Sequence, residues 1–136
     1  MNKTAFILRG VSGSGKSTLA NTLASMSPDS IICEADQYFI NREGEYKFDP
    51  SRLGAAHAYC LNLFKLHTEK GTSVIICSNT NASEKEYLPY VNLAKQQGYT
   101  VHVIVVERFM NTQSIHLVPE ETIKKQTDKL RLSIRF

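Results

Sequence analysis

Residues 10–18 read GVSGSGKST and follow directly on the apolar run AFILR. Glycine is concentrated there, and a lysine and two hydroxyls stand at the end. The stretch fits GxxxxGK[ST] on Gly10, Gly15, Lys16 and Ser17. Glycines let successive backbone N–H groups turn inward and form a nest for phosphate oxygens. A helix starting at Lys16 aims its positive end at the same place. In that geometry Ser12, Gly13, Ser14 and Gly15 supply backbone donors. Lys16 reaches the β- and γ-phosphates, Ser17 offers its hydroxyl to Mg²⁺, and Thr18 supports the α-phosphate. A glycine-rich turn that merely carries a lysine is the plain alternative, but the strand before and the helix after argue against it. A dinucleotide-binding turn is excluded, because Thr18 stands where GxGxxG needs its last glycine. The expected ligand is a nucleoside triphosphate, ATP with Mg²⁺.

The chain that carries this loop has 136 residues, 42% apolar and 21% charged, with a net charge of +3. That composition belongs to a globular protein, and the length suits a single domain over 1–136. The mild basicity permits a phosphate or nucleic-acid partner without arguing for one. Cys33, Cys60 and Cys77 are odd in number and widely spaced. No CxxC pair exists, so buried thiols in a reducing cytosol are expected rather than zinc or disulfides. The apolar run at 4–9 is too short for a signal peptide or a membrane span. The expectation is a cytoplasmic protein with no membrane partner, and the oligomeric state is left open.

Four apolar runs read as strands: 4–9, 30–33, 73–77 and 100–107. The first three are short and nearly continuous, as strands buried on both faces are. Helical patterns lie between and after them. Residues 16–26 place Leu19, Leu23 and Met26 on one face. Residues 49–71 open with Asp49 and Pro50 and stop at Gly71. Residues 83–98 start with Ser83 and Glu86 at capping-box spacing, and Pro89 predicts a kink or a late start. Residues 119–132 put acids first and lysines later, as the helix dipole prefers. Strands alternating with helices imply an α/β fold of the P-loop NTPase type. Its parallel sheet of about four to five strands is flanked by helices. Residues 39–48 are polar and read as a loop over one end of the sheet.

Asp36 follows the second strand run. In a parallel sheet the carboxyl ends of the strands face the ligand crevice, so Asp36 is expected near the phosphate loop. A carboxylate there can take the proton of an attacking hydroxyl. It can equally cap a turn. Glu34 lies two residues earlier, at the strand end, and is the poorer base.

LRGVSGSGKSTLA, EADQYF, GEYKFDPSRLGAAHAYC, VIICSNTN, YLPYVNLAKQQGYTVHVIVVE and IHLVPEETI occur in this order along the chain. The arrangement resembles P-loop kinases of the phage-type polynucleotide 5′-kinase group and the related AAA-type ATP-binding proteins. The resemblance covers nearly the whole chain. It implies transfer of the γ-phosphate of ATP to a nucleic-acid 5′-hydroxyl. Asp36 matches the family's general base, Lys16 its phosphate-binding lysine and Ser17 its Mg²⁺-binding hydroxyl. Two features depart from the pattern. The third strand ends in Ser78 and Asn79 rather than in an acid. These can hydrogen-bond a metal-bound water but bring no charge, so Mg²⁺ rests more on Ser17, Asp36 and the phosphates. The lid arginine is missing before HLVP, with Gln113 near its place, and Arg108 after the fourth strand is the candidate to substitute for it.

Arg42, Lys47 and Arg52 flank the loop after Asp36, and Arg42 and Arg52 are candidates for holding an acceptor phosphate. A solvated charged loop is the alternative. Tyr38, Phe39 and Tyr46 can stack on a base or pack down on the sheet edge. His57 is expected to be a packed, hydrogen-bonded histidine. His116 either orients the lid or is structural, and His67 and His102 carry no signal. Lys129, Arg131 and Arg135 belong to a last helical turn, an edge strand or a phosphate-contacting tail. The leading reading is an ATP-dependent kinase of nucleic-acid 5′ ends, with Lys16, Asp36 and Arg108 catalytic. The alternatives are a small-molecule kinase for a nucleoside, sugar or cofactor precursor, and a nucleotide-binding regulatory protein with weak hydrolysis.

Overall fold

The computed structural model describes residues 2–107 and 119–134. Four strands, β1 (Thr4–Arg9), β2 (Ser30–Cys33), β3 (Val74–Ser78) and β4 (Thr100–Val105), form one parallel sheet in the order β2-β3-β1-β4. Between and after them lie α1 (Lys16–Ala24), α2 (Leu53–Lys70), α3 (Glu84–Gln96) and α4 (Glu120–Ser133). The α/β expectation and its four strand positions hold to within a residue or two at each end.

Strand alternation builds two cores from one run of apolar residues. Ala5 and Ile7 of β1, with Ile75 and Cys77 of β3, face Ala56, Cys60 and Phe64 of α2 and Tyr90, Val91 and Ala94 of α3. Phe6 and Leu8, with Val74 and Ile76, face Ala20, Leu19 and Leu23 of α1. β1 therefore has no polar face, which is why its sequence reads as continuously apolar. All three cysteines are buried and unpaired. β2 and β4 are the edge strands, and Val103 on β4 is 42% exposed.

Helix ends follow the local chemistry. Asp49 accepts from the Ser51 backbone N–H at 3.0 Å and opens a 3-10 turn, Pro50–Arg52, that runs into α2. Gly71 closes α2 in the left-handed region at φ 79°. Two details differ from the sequence reading. Met26 is 64% exposed, because α1 ends at Ala24 and the chain has already turned away from the sheet. α3 begins at Glu84, so Pro89 lies inside the helix rather than delaying it. The lost N–H leaves one carbonyl of the first turn without its helical partner.

The polar end of β1 ties on the last helix. Arg9 is buried, donates from Nε to the Asn81 carbonyl at 2.8 Å and bonds Ser133 Oγ of α4. Its guanidinium lies 4.1 Å from the Tyr87 ring centroid. Lys129 and Arg131 belong to α4, which settles the basic tail as helix that far. Arg135 lies outside the described residues.

Candidate active site

β1 and β3 are neighbours, but the chain reaches β2 and β4 in opposite directions from them. The crevice at their carboxyl ends is the switch point where such sheets bind ligands. The loop from Gly10 to Gly15 fills it. Gly13 (φ 78°) and Gly15 (φ 100°) both adopt left-handed conformations, which glycine reaches without steric cost. Gly15 is also the N-cap of α1, with no side-chain cap and no acid in the first turn. The positive end of that helix is thus left for an outside anion. Two donors beside it are bonded to the protein's own oxygens. Ser12 N–H donates to Gln126 Oε1 of α4 at 3.2 Å, and Lys16 Nζ donates to the Val11 carbonyl at 3.0 Å.

Gly10 has a packing reason of its own. A Cβ there would lie 2.7 Å from both Ser14 Oγ and the Val106 carbonyl oxygen. The hydroxyl can rotate away, but the strand-end carbonyl cannot. Gly10→Ala is therefore expected to cost about 1–3 kcal/mol. A thermal melt of the variant checks this, and a melting temperature equal to wild type would contradict the packing. Ser14 Oγ is buried without a hydrogen-bond partner among the described residues, so that side chain belongs to the loop's packing.

Asp36 sits on a 3-10 turn, Ala35–Phe39, that is held from both sides. Glu34 and Gln37 make a reciprocal capping box, and Gln37 Nε2 also donates to the Ile32 carbonyl at 2.8 Å. Just past the end of β3, Asn79 Oδ1 accepts the Ala35 N–H at 2.9 Å. The Asn79 amide nitrogen points to the sulfurs of Cys60 and Cys77 at 3.4 and 3.6 Å. The residue read as a partner for metal-bound water thus uses its side chain to fix the turn that carries Asp36. Tyr46, from the 39–48 loop, hydrogen-bonds the Asp36 carboxylate. Burial, the Asp36 charge and that bond all push the Tyr46 hydroxyl pKa up. Tyr46 also stacks on Phe48 and meets Phe39 edge-on. Sequence reasoning placed it against a base or the sheet edge and missed its link to Asp36. Its one signal was a tyrosine in a loop expected to cover the strand ends.

Ser12, Gly13, Lys16, Ser17, Glu34, Asp36, Ser78 and Asn79 line one cavity of about 580 Å³. The structure therefore brings Lys16, Ser17 and Asp36 to a single space. Thr18 lies on α1 and is exposed. Arg42 and Arg52 are exposed and stand outside the cavity lining. Arg52 is engaged with Tyr38, whose hydroxyl accepts from Nε at 3.0 Å. Arg108, Gln113 and His116 lie outside the described residues. His57 is a correction. It is exposed and lines the cavity, because the buried stripe of α2 runs through Ala56, Cys60, Phe64 and Thr68 and His57 falls one position off it.

Burial pulls the Lys16 ammonium down to a pKa of about 8, and the charges of Glu34 and Asp36 oppose that shift. A desolvated cation at the end of a glycine-rich loop fits a phosphate ligand. Among the described residues no helix is long and apolar enough to cross a membrane.

Known proteins share this fold. The chain is 46% identical over 96 residues to human NEDD4-binding protein 2, a match that takes in 70% of this chain and 5% of that protein. A chain of the Pnkp1/Rnl/Hen1 RNA repair complex superposes over 97% of this chain and 45% of its own length, with TM-score 0.72 and 19% identity. APS kinase CysC of Mycobacterium tuberculosis superposes over 96% of this chain and 98% of its own, with TM-score 0.54 and 14% identity. The same kinase is also solved in complex with AMPPNP and APS. These likenesses carry a kinase-like P-loop fold. The AAA domain family matches residues 6–129, from the first strand to the last helix, and the chain belongs to that family.

Proposed function

We propose that the protein transfers the γ-phosphate of ATP to a hydroxyl, and that the acceptor is the 5′-hydroxyl of DNA or RNA. The observation that carries this reading is the shared cavity, which both the Asp36 carboxylate and the Lys16 ammonium line. ATP with Mg²⁺ supplies the electrophilic phosphorus and its leaving group. The loop N–H groups and Lys16 hold the triphosphate, and Ser17 offers its hydroxyl to the metal. Asp36 takes the acceptor's proton as its oxygen bonds to phosphorus and the bond to the β-phosphate oxygen breaks. Tyr46 and Asn79 keep Asp36 in place, and Arg108 steadies the transferring group. Catalysis of this kind is positioning plus electrostatics, for which a small domain suffices. The RNA repair neighbour supports the nucleic-acid acceptor. The APS kinase neighbour supports the second reading, a small-molecule acceptor in the same cavity.

The test is transfer of labelled γ-phosphate to a 5′-hydroxyl single-stranded oligonucleotide, run beside free nucleosides and APS. Label on the oligonucleotide and on no small molecule is expected. Label on a small molecule alone selects the second reading. ATP bound with no acceptor labelled points to a nucleotide-binding regulator.

A further inference from the structure

A second cavity, of about 540 Å³, lies between α2, α3 and α4. It adjoins the first, and His57, Thr80, Thr122 and Gln126 line both. Its charge is one-sided. Lys85 of α3 and Lys125 and Lys129 of α4 line it, against the single carboxylate of Glu86. Glu86 is already committed, to Lys129 at 3.3 Å and to Ser83 Oγ at 2.8 Å. The whole chain carries 16 basic and 13 acidic side chains, so three lysines around one groove are a local concentration. The rest of the wall includes apolar Leu61 and Pro89.

We propose that this groove is an acceptor subsite that holds the backbone phosphates of the single strand behind its 5′-hydroxyl. It rests on the polynucleotide reading of the first cavity and adds where the strand leaves it. A 5′-terminal hydroxyl at Asp36 puts the first internucleotide phosphates past the shared wall of His57, Thr122 and Gln126. Lys85 and Lys125 neutralise them there as mobile point charges, which reads backbone and not base sequence. Arg42 and Arg52, outside both linings, are not needed for this path.

The variant is Lys85→Gln with Lys125→Gln, which leaves the Lys129–Glu86 pair intact. The measurement is the acceptor KM of a 5′-hydroxyl dinucleotide and octanucleotide across a salt series, with an ATP-dependent thermal shift as the check of folding. The octanucleotide KM is expected to rise about tenfold, and its salt slope to fall by about 0.7 per lysine removed. The dinucleotide KM is expected to change little. Lys125→Glu alone should show the same length-selective loss. An octanucleotide KM and salt slope equal to wild type overturn the groove and leave the kinase reading standing. No transfer by wild type to any 5′-hydroxyl overturns both.

Discussion

Asp36→Asn is expected to lower phosphoryl transfer by about 10²–10⁴-fold while ATP still binds, the range for loss of a positioned general base. The substitution is nearly isosteric. Its amide oxygen still accepts from Tyr46, and the turn keeps the Glu34–Gln37 box and the Asn79 bond to Ala35. What disappears is the carboxylate that takes up the proton. Single-turnover transfer to the acceptor, set beside the ATP-dependent thermal shift, separates the two effects. A transfer rate within threefold of wild type would remove Asp36 from the chemistry and leave it as a capping acid.

Lys16→Met should abolish the ATP-dependent thermal shift without lowering the melting temperature of the ligand-free protein. The ammonium is held at about 8 by burial, against an ordinary value of 10.5. A lysine whose folded pKa lies below its unfolded one opposes folding when charged. That penalty is complete below pH 8 and fades as pH rises from about 8 toward 10.5, because the unfolded chain there binds the extra proton. Methionine keeps much of the stem and removes the buried charge. The same titration reaches function. Above pH 8 the free protein has lost the cation that binds phosphate, so ATP affinity should fall by up to about tenfold per pH unit. Calorimetry or thermal shift from pH 7 to 9.5 reads this slope. A flat profile in wild type would show that Lys16 does not meet the phosphates.

Chemistry confined to neighbouring residues was legible in the sequence. The spacing of Gly10, Gly15, Lys16 and Ser17 specifies a phosphate loop because backbone conformation is decided by the residues that adopt it. Continuous apolar runs placed β1, β2 and β3, since strands covered on both faces need no polar alternation. Asp49 with Pro50, and Gly71, marked the ends of α2 through local capping. The order β2-β3-β1-β4 could not be read this way, because parallel strands choose neighbours by how α1, α2 and α3 pack across the sheet. Asn79 reaches Ala35 across 44 positions of sequence, and no pattern in VIICSNTN signals that its amide is already used. Tyr46 and Asp36 likewise meet only once the 39–48 loop folds back over the strand ends. His57 looked like a core residue until the helix was oriented, because a register difference of one position separates the buried stripe of α2 from the cavity wall. The lysines of the groove come from α3 and α4, brought together by the buried Arg9 and by the Lys129–Glu86 pair. Local conformation follows from local side chains. Sites assembled from distant segments depend on the packing that brings those segments into contact.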